Sequence, residues 1–144
     1  MLINIPSVLS PELLKVLMEM GHGDEIVIGD GNFPAQSMGK DAIVVREDGH
    51  RVNELLDAIL TLMPLDQYVE NPVGLMSVVP GDPIKPTIWD LYRETLMRHG
   101  ENPAHIEFID RFAFYERAKK AYCIVATSET EIYANILLKK GVVK

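Results

Sequence analysis

Apolar positions follow two kinds of spacing along this chain, and together they predict helices alternating with strands. Ser10-Pro11-Glu12 supplies an N-cap hydroxyl, a proline suited to the first helical position and an early acid, and Leu13, Leu14, Leu17 and Met20 continue as a helical stripe that Gly21 should stop. Val52, Leu55, Leu56, Ile59 and Met63 recur at i, i+3, i+4, i+7 and i+11, which predicts a second amphipathic helix ending before Pro64. Ile88, Leu91, Tyr92 and Thr95 mark a third, closing near His99-Gly100 with Trp89 packed beside it, and residues 111–120 make a short fourth. The β-prone runs are 25–30, 42–45, 73–79, 105–108, 122–126 and 135–139. Residues 31–39 read as a polar, glycine-flanked loop, and Pro80-Gly81-Asp82-Pro83 as a turn. Such alternation predicts an α/β layered sheet, mostly parallel, in which the shorter connections leave room for antiparallel pairs.

Length and composition narrow the picture. A chain of 144 residues, 47% apolar and 24% charged, fits one ordered domain spanning 1–144. A net charge of −7 argues against a nucleic-acid partner, and Lys119-Lys120 and Lys139-Lys140 read as solvated surface charge. Cys123 stands alone inside an apolar run, so it reads as a small buried hydrophobe in a reducing compartment. The opening Met1 to Pro6 lacks the charged and apolar regions of a secretion leader, and no apolar stretch approaches the roughly 20 residues of a membrane helix. The expectation is a cytoplasmic protein without a membrane partner.

Four places carry candidate chemistry. His22 sits between Gly21 and Gly23 just past a predicted helix end, where the last carbonyls favour imidazolium and a proton donor; it reads equally well as a C-cap. Asp30 ends a predicted strand and enters a glycine-containing loop, where α/β sheets form ligand crevices, although an Asx turn explains it too. Residues 110–117 mix Arg111 and Arg117 with Phe112, Phe114 and Tyr115, a combination that suits carbohydrate or a helix with core and surface faces. Tyr133-Ala134-Asn135 adds a phenol and an amide in a predicted loop. His50, His99 and His105 lack zinc-site spacing and read as surface or structural residues, and Met63, Met76 and Met97 as core fillers. Gly29-Asp30-Gly31 does not complete a dinucleotide fingerprint.

Several long motifs, in order, resemble the RbsD/FucU family of sugar mutarotases and pyranases, on its fucose-acting branch. They are residues 10–17, 19–25, Phe33-Pro34-Ala35 with Ser37-Met38-Gly39, 111–117 and 133–142, so the resemblance covers nearly the whole chain. It implies a three-layer α/β/α domain and a ring-shaped homo-oligomer, commonly a decamer, with sites near subunit boundaries. It further implies that His22 is the proton donor, that Asp30, Arg111 and Tyr133-Ala134-Asn135 bind the sugar, and that Tyr115 polishes the pocket. No metal or other cofactor is implied. Asp30-Gly31-Asn32 and Gln36 depart from the Ala-His and His expected of fucose-acting members, and such exchanges shift preference among hydroxyl patterns.

The resemblance implies interconversion of the anomers of a free monosaccharide, L-fucose first and D-ribose as a pyranase alternative. His22 then protonates the ring oxygen, while Asp30, or a water or hydroxyl it orients, accepts the anomeric proton. Two rivals make different demands: a non-catalytic sugar-binding accessory of uptake binds without accelerating exchange, and a nucleotide-binding module is stabilised by nucleotide instead.

Overall fold

The computed structural model describes residues 1–144. Its elements run α1 (Pro11–Glu19), β1 (Glu25–Gly29), α2 (Ala35–Met38), β2 (Ile43–Glu47), α3 (Val52–Leu62), β3 (Val73–Met76), α4 (Ile88–Arg98), β4 (Ile106–Ile109), α5 (Arg111–Lys120), β5 (Cys123–Thr127) and β6 (Ile136–Lys139). The start of α1 follows its sequence signal: the Ser10 hydroxyl accepts the Leu13 N–H at 3.1 Å, and Pro11 opens the first turn.

One six-stranded sheet has the order β2-β5-β1-β6-β3-β4. The pairs β1–β5, β2–β5 and β3–β4 are parallel, whereas β6 lies antiparallel between β1 and β3. The expected mostly parallel sheet with an antiparallel element is therefore present, and its cause is chain length. Only residues 128–135 join β5 to β6, fewer than the roughly dozen that a parallel crossover needs.

Both faces of the sheet are covered, which explains why its strands read as continuous apolar runs. Ile26, Ile28, Cys123, Val125, Ile136 and Leu138 join the core formed with α1, α3 and α4. The alternate positions Val27, Ile124, Ala126 and Leu137 join a second core with Phe33, with Ala35 of α2 and with Phe114 and Ala118 of α5. The result is the three-layer α/β/α domain. Burial pushes the Cys123 thiol up to about 12, so it remains protonated near neutral pH. No helix is long and apolar enough to cross a membrane.

Four sequence readings need correction. Residues 31–39 are not all loop, since α2 forms there; buried Ala35 and a Gly39 with no room for a Cβ beside Val44 fix a turn too short to stand alone. β3 ends at Met76, and residues 77–79 leave the sheet toward the cleft described below. Met97 is 59% exposed and fills no core. Lys140 is not free surface charge either: its ammonium donates to the carbonyls of Leu17 at 2.9 Å and Met20 at 2.5 Å, closing the C-terminus of α1. That is the capping duty His22 could have had, and His22 makes no bond to those carbonyls.

Candidate active site

Because β6 is reversed, its first residues lie at the same sheet edge as the C-terminal ends of β1, β3 and β4. A cavity of about 330 Å³ opens there, with Asp30, Asn32 and Phe33 following β1, Met76 ending β3, Val79 and Asp82 beyond it, Arg111 and Tyr115 following β4, and Ile132, Tyr133 and Asn135 preceding β6. Its size is at the small end of ligand pockets, roughly 300–1,000 Å³.

Asp30 is buried, and its own N–H donates to the Asn135 side-chain oxygen at 2.8 Å, joining the ends of β1 and β6. Its Oδ1 accepts the Asn32 N–H at 2.9 Å. Burial raises the Asp30 carboxyl above its ordinary value, with the Glu129 charge adding to it, against the lowering effect of backbone hydrogen bonds from Asn32, Ala134 and Phe33. Gly31 is required by close approach: its N–H donates to the Glu129 carbonyl at 2.8 Å, and a Cβ would lie 3.0 Å from that same oxygen.

Tyr133 adopts φ +58°, a left-handed conformation that costs a non-glycine residue energy and persists only where the surroundings enforce it. Two aromatic residues of α4 do so. Trp89 Nε1 donates to the Tyr133 carbonyl at 2.8 Å, and the Tyr92 hydroxyl donates to the buried Ala134 carbonyl at 2.6 Å. Trp89 thus joins helix to site rather than merely packing, although its ring also lies 5.1 Å from that of Phe108. The Tyr133 phenol donates to Asp82 Oδ2 at 2.8 Å and accepts the Val79 N–H at 3.2 Å.

Asp110 caps α5 by accepting the Ala113 N–H at 3.1 Å, which places Arg111 in the first turn above the cavity. Arg111 Nε donates to the Tyr115 hydroxyl at 3.1 Å, and its guanidinium stands 5.5 Å from the Tyr115 ring centre. Phe33 meets Tyr115 edge-on at 5.8 Å.

The cleft gathers Asp30, Arg111, Tyr115, Tyr133 and Asn135, while Ala134 is buried in the core behind them. Three aromatic or basic neighbours from the carbohydrate-like segment are elsewhere: Phe114 is core, Phe112 is 72% exposed, and Arg117 pairs with Glu25 and Glu107. Phe33, Met76, Val79 and Asp82 were not singled out as site residues. Phe33 lies in a family-like motif and Asp82 in a predicted turn, but neither position signals what it faces.

His22 is not in this cleft. It precedes β1, whereas Asp30 follows it, and a five-residue strand at about 3.3 Å per residue separates the two by roughly 16 Å. The ring is about half exposed, and its Nε2 lies 2.9 Å from Oδ1 of buried Asp66, with the Tyr68 ring 5.4 Å away. Burial raises the Asp66 carboxyl, but the Tyr68 N–H, the His22 hydrogen bond and charge, and the charge of Lys139 outweigh this and hold it below its ordinary value. Asp66 orients the imidazole through Nε2 and leaves Nδ1 facing elsewhere.

This is an α/β domain whose ligand cleft opens at the carboxyl ends of parallel strands, walled by carboxylate, guanidinium, phenol and amide groups suited to a small polyhydroxylated molecule. Residues 3–143 match the RbsD / FucU transport protein family, and the chain belongs to that family. It is 51% identical to a fucose mutarotase of Danio rerio over 97% of this chain and 93% of that one. An L-fucose mutarotase of Actinobacillus pleuropneumoniae is 47% identical over 99% and 97% of the two chains. The crystal structure of a fucose mutarotase from Streptococcus pneumoniae in complex with L-fucose is 55% identical with a TM-score of 0.94, covering 99% of this chain and all of that one.

Proposed function

We propose that this protein is an L-fucose mutarotase, an isomerase that interconverts the α and β anomers of the free sugar by opening and reclosing its ring. The observation that carries the reading is the cleft itself, in which Asp30, Arg111, Tyr115, Tyr133 and Asn135 converge beside an aromatic face in a chain closely similar to fucose mutarotases.

Ring opening needs a proton on the ring oxygen and the loss of one from the anomeric hydroxyl. His22, held by Asp66, supplies the first as imidazolium, and Asp30 or a hydroxyl beside it accepts the second. Arg111, Tyr115 and Asn135 bind the remaining hydroxyls. Rotation about the opened chain presents either carbonyl face for reclosure, so both anomers form and no atom is gained or lost.

Within one chain the imidazole and the cleft are at opposite sheet edges, so the reading includes a site completed across a subunit boundary, with His22 contributed by a neighbour. A ring-shaped homo-oligomer, a decamer by family resemblance, supplies such boundaries. The same reading assigns the protein to the cytoplasm, where its lone Cys123 needs no partner.

Magnetisation exchange between the α and β anomeric protons of L-fucose tests this directly. The protein should accelerate exchange catalytically, and His22→Ala should lose about 10²–10⁴-fold. Broadened or shifted sugar signals without faster exchange would make it a binder instead.

A further inference from the structure

Two phenols face the cleft, and their hydrogen bonds give them opposite polarity. The Tyr115 oxygen accepts Arg111 Nε–H at 3.1 Å, so its own proton is free to be donated into the cavity. The Tyr133 proton is already committed to Asp82 Oδ2 at 2.8 Å, and the Val79 N–H fills one lone pair at 3.2 Å. Tyr133 can therefore meet a sugar hydroxyl only as an acceptor. Asp82 is itself fixed, since its Oδ1 accepts the Ile84 N–H at 3.1 Å and its N–H donates to the Val79 carbonyl at 3.0 Å.

We propose that Tyr133 is the base for the anomeric hydroxyl and that Asp82, acting through it, is the terminal proton acceptor. The inference rests on the mutarotase reading and deepens it. As the O1–H proton of the sugar moves to the Tyr133 oxygen, the phenolic proton of Tyr133 moves to Asp82 Oδ2. The electron pair left on O1 forms the C1=O bond as the C1–O5 bond breaks, and O5 takes a proton from the imidazolium of His22 in a neighbouring subunit. Reclosure runs each transfer backwards, so both groups are regenerated.

Three features favour this relay over direct transfer to Asp30. Asp30 Oδ1 accepts from Asn32, and the Ala134 and Phe33 backbone amides also favour its charged form, which leaves it suited to holding a hydroxyl. Tyr133, by contrast, has a carboxylate directly behind its O–H. The enforced left-handed backbone of Tyr133 is the strain expected of a residue held for its chemistry.

Asp82→Asn separates a relay from a scaffold, because an amide oxygen still accepts the Tyr133 hydrogen bond but is far less basic. With L-fucose as substrate, anomeric exchange in Asp82→Asn should fall about 10²-fold in kcat, with KM and L-fucose binding unchanged, and Tyr133→Phe should be impaired at least as much. Wild-type kcat in Asp82→Asn overturns the proposal. So does loss of L-fucose binding together with activity, which would make Asp82 structural. Failure of the unmodified protein to accelerate exchange would defeat the mutarotase reading itself, an outcome distinct from an active parent with an unaffected variant.

Discussion

Co-assembling two defective chains should restore activity that neither possesses. The first carries His22→Ala and lacks the proposed acid; the second carries Arg111→Ala and lacks part of the sugar-binding wall. In one chain His22 precedes β1, whereas the cleft that Arg111 lines opens beyond the other end of that strand, roughly 16 Å away along it. Reacting atoms must approach to about 3–3.5 Å. No side-chain rotation closes that gap, so on the proposed mechanism each working site takes its imidazole from one subunit and its cleft from the next. In a random equal mixture, half of the imidazole donors and half of the clefts are intact, so about a quarter of the composite sites are wholly wild-type. The chains, carrying different affinity tags, are co-expressed, purified through both tags and assayed for kcat/KM by anomeric exchange with L-fucose. Recovery near a quarter of wild-type kcat/KM, well above the sum of the separate variants, is expected. Verified mixed assemblies with no recovery would refute the shared site and require another acid within each cleft.

Three further outcomes follow from single contacts. Arg111→Ala should raise KM for L-fucose with kcat largely kept, because the proposed role of the guanidinium is to bind hydroxyls in ground and transition states alike; saturation curves from exchange rates check this. Tyr92→Phe strands the buried Ala134 carbonyl and should cost about 1–3 kcal/mol, read from urea unfolding midpoints. Asp66 is depressed in the folded state, so its stabilisation is present above the ordinary carboxylate pKa of about 3.9 and is lost as pH falls through the lower folded value. The stability gap between wild type and Asp66→Asn should therefore shrink on acidification below about pH 4; a gap independent of pH would contradict the ion pair with His22.

Local order was legible in the sequence wherever short-range rules decide it. Ser10 and Pro11 open α1, the stripe from Val52 to Met63 outlines α3, and the runs around Ile26 and Ile124 are strands because both faces are buried. Partners distant in sequence were hidden. Asp66 meets His22 only because the Leu65 to Lys140 bridge brings the start of the 65–68 segment beside the end of β6, and Asp82 meets Tyr133 across 51 positions. Periodicity also cannot rank residues within a helix: Phe114 and Phe112 are equally apolar, yet one is core and the other faces solvent. Lys140 shows the same limit for charge, since a basic pair in the sequence does not reveal the helix end that one member closes.

The reversal of β6 links these observations. Had β6 run parallel to β1, Tyr133 and Asn135 would begin it at the sheet edge that carries His22. The short connection forbids this and instead turns them toward Asp30, where the Asp30 N–H joins Asn135 and where Trp89 and Tyr92 lock the intervening carbonyls. The same reversal carries Lys140 to the opposite edge, where it closes α1 just before His22, while its neighbour Lys139 approaches Asp66. One short loop thus builds the wall of the proposed sugar cleft at one end of the sheet and steadies the imidazole at the other. On the proposed mechanism a chain folded this way holds two half-sites facing apart, which assembly joins into one.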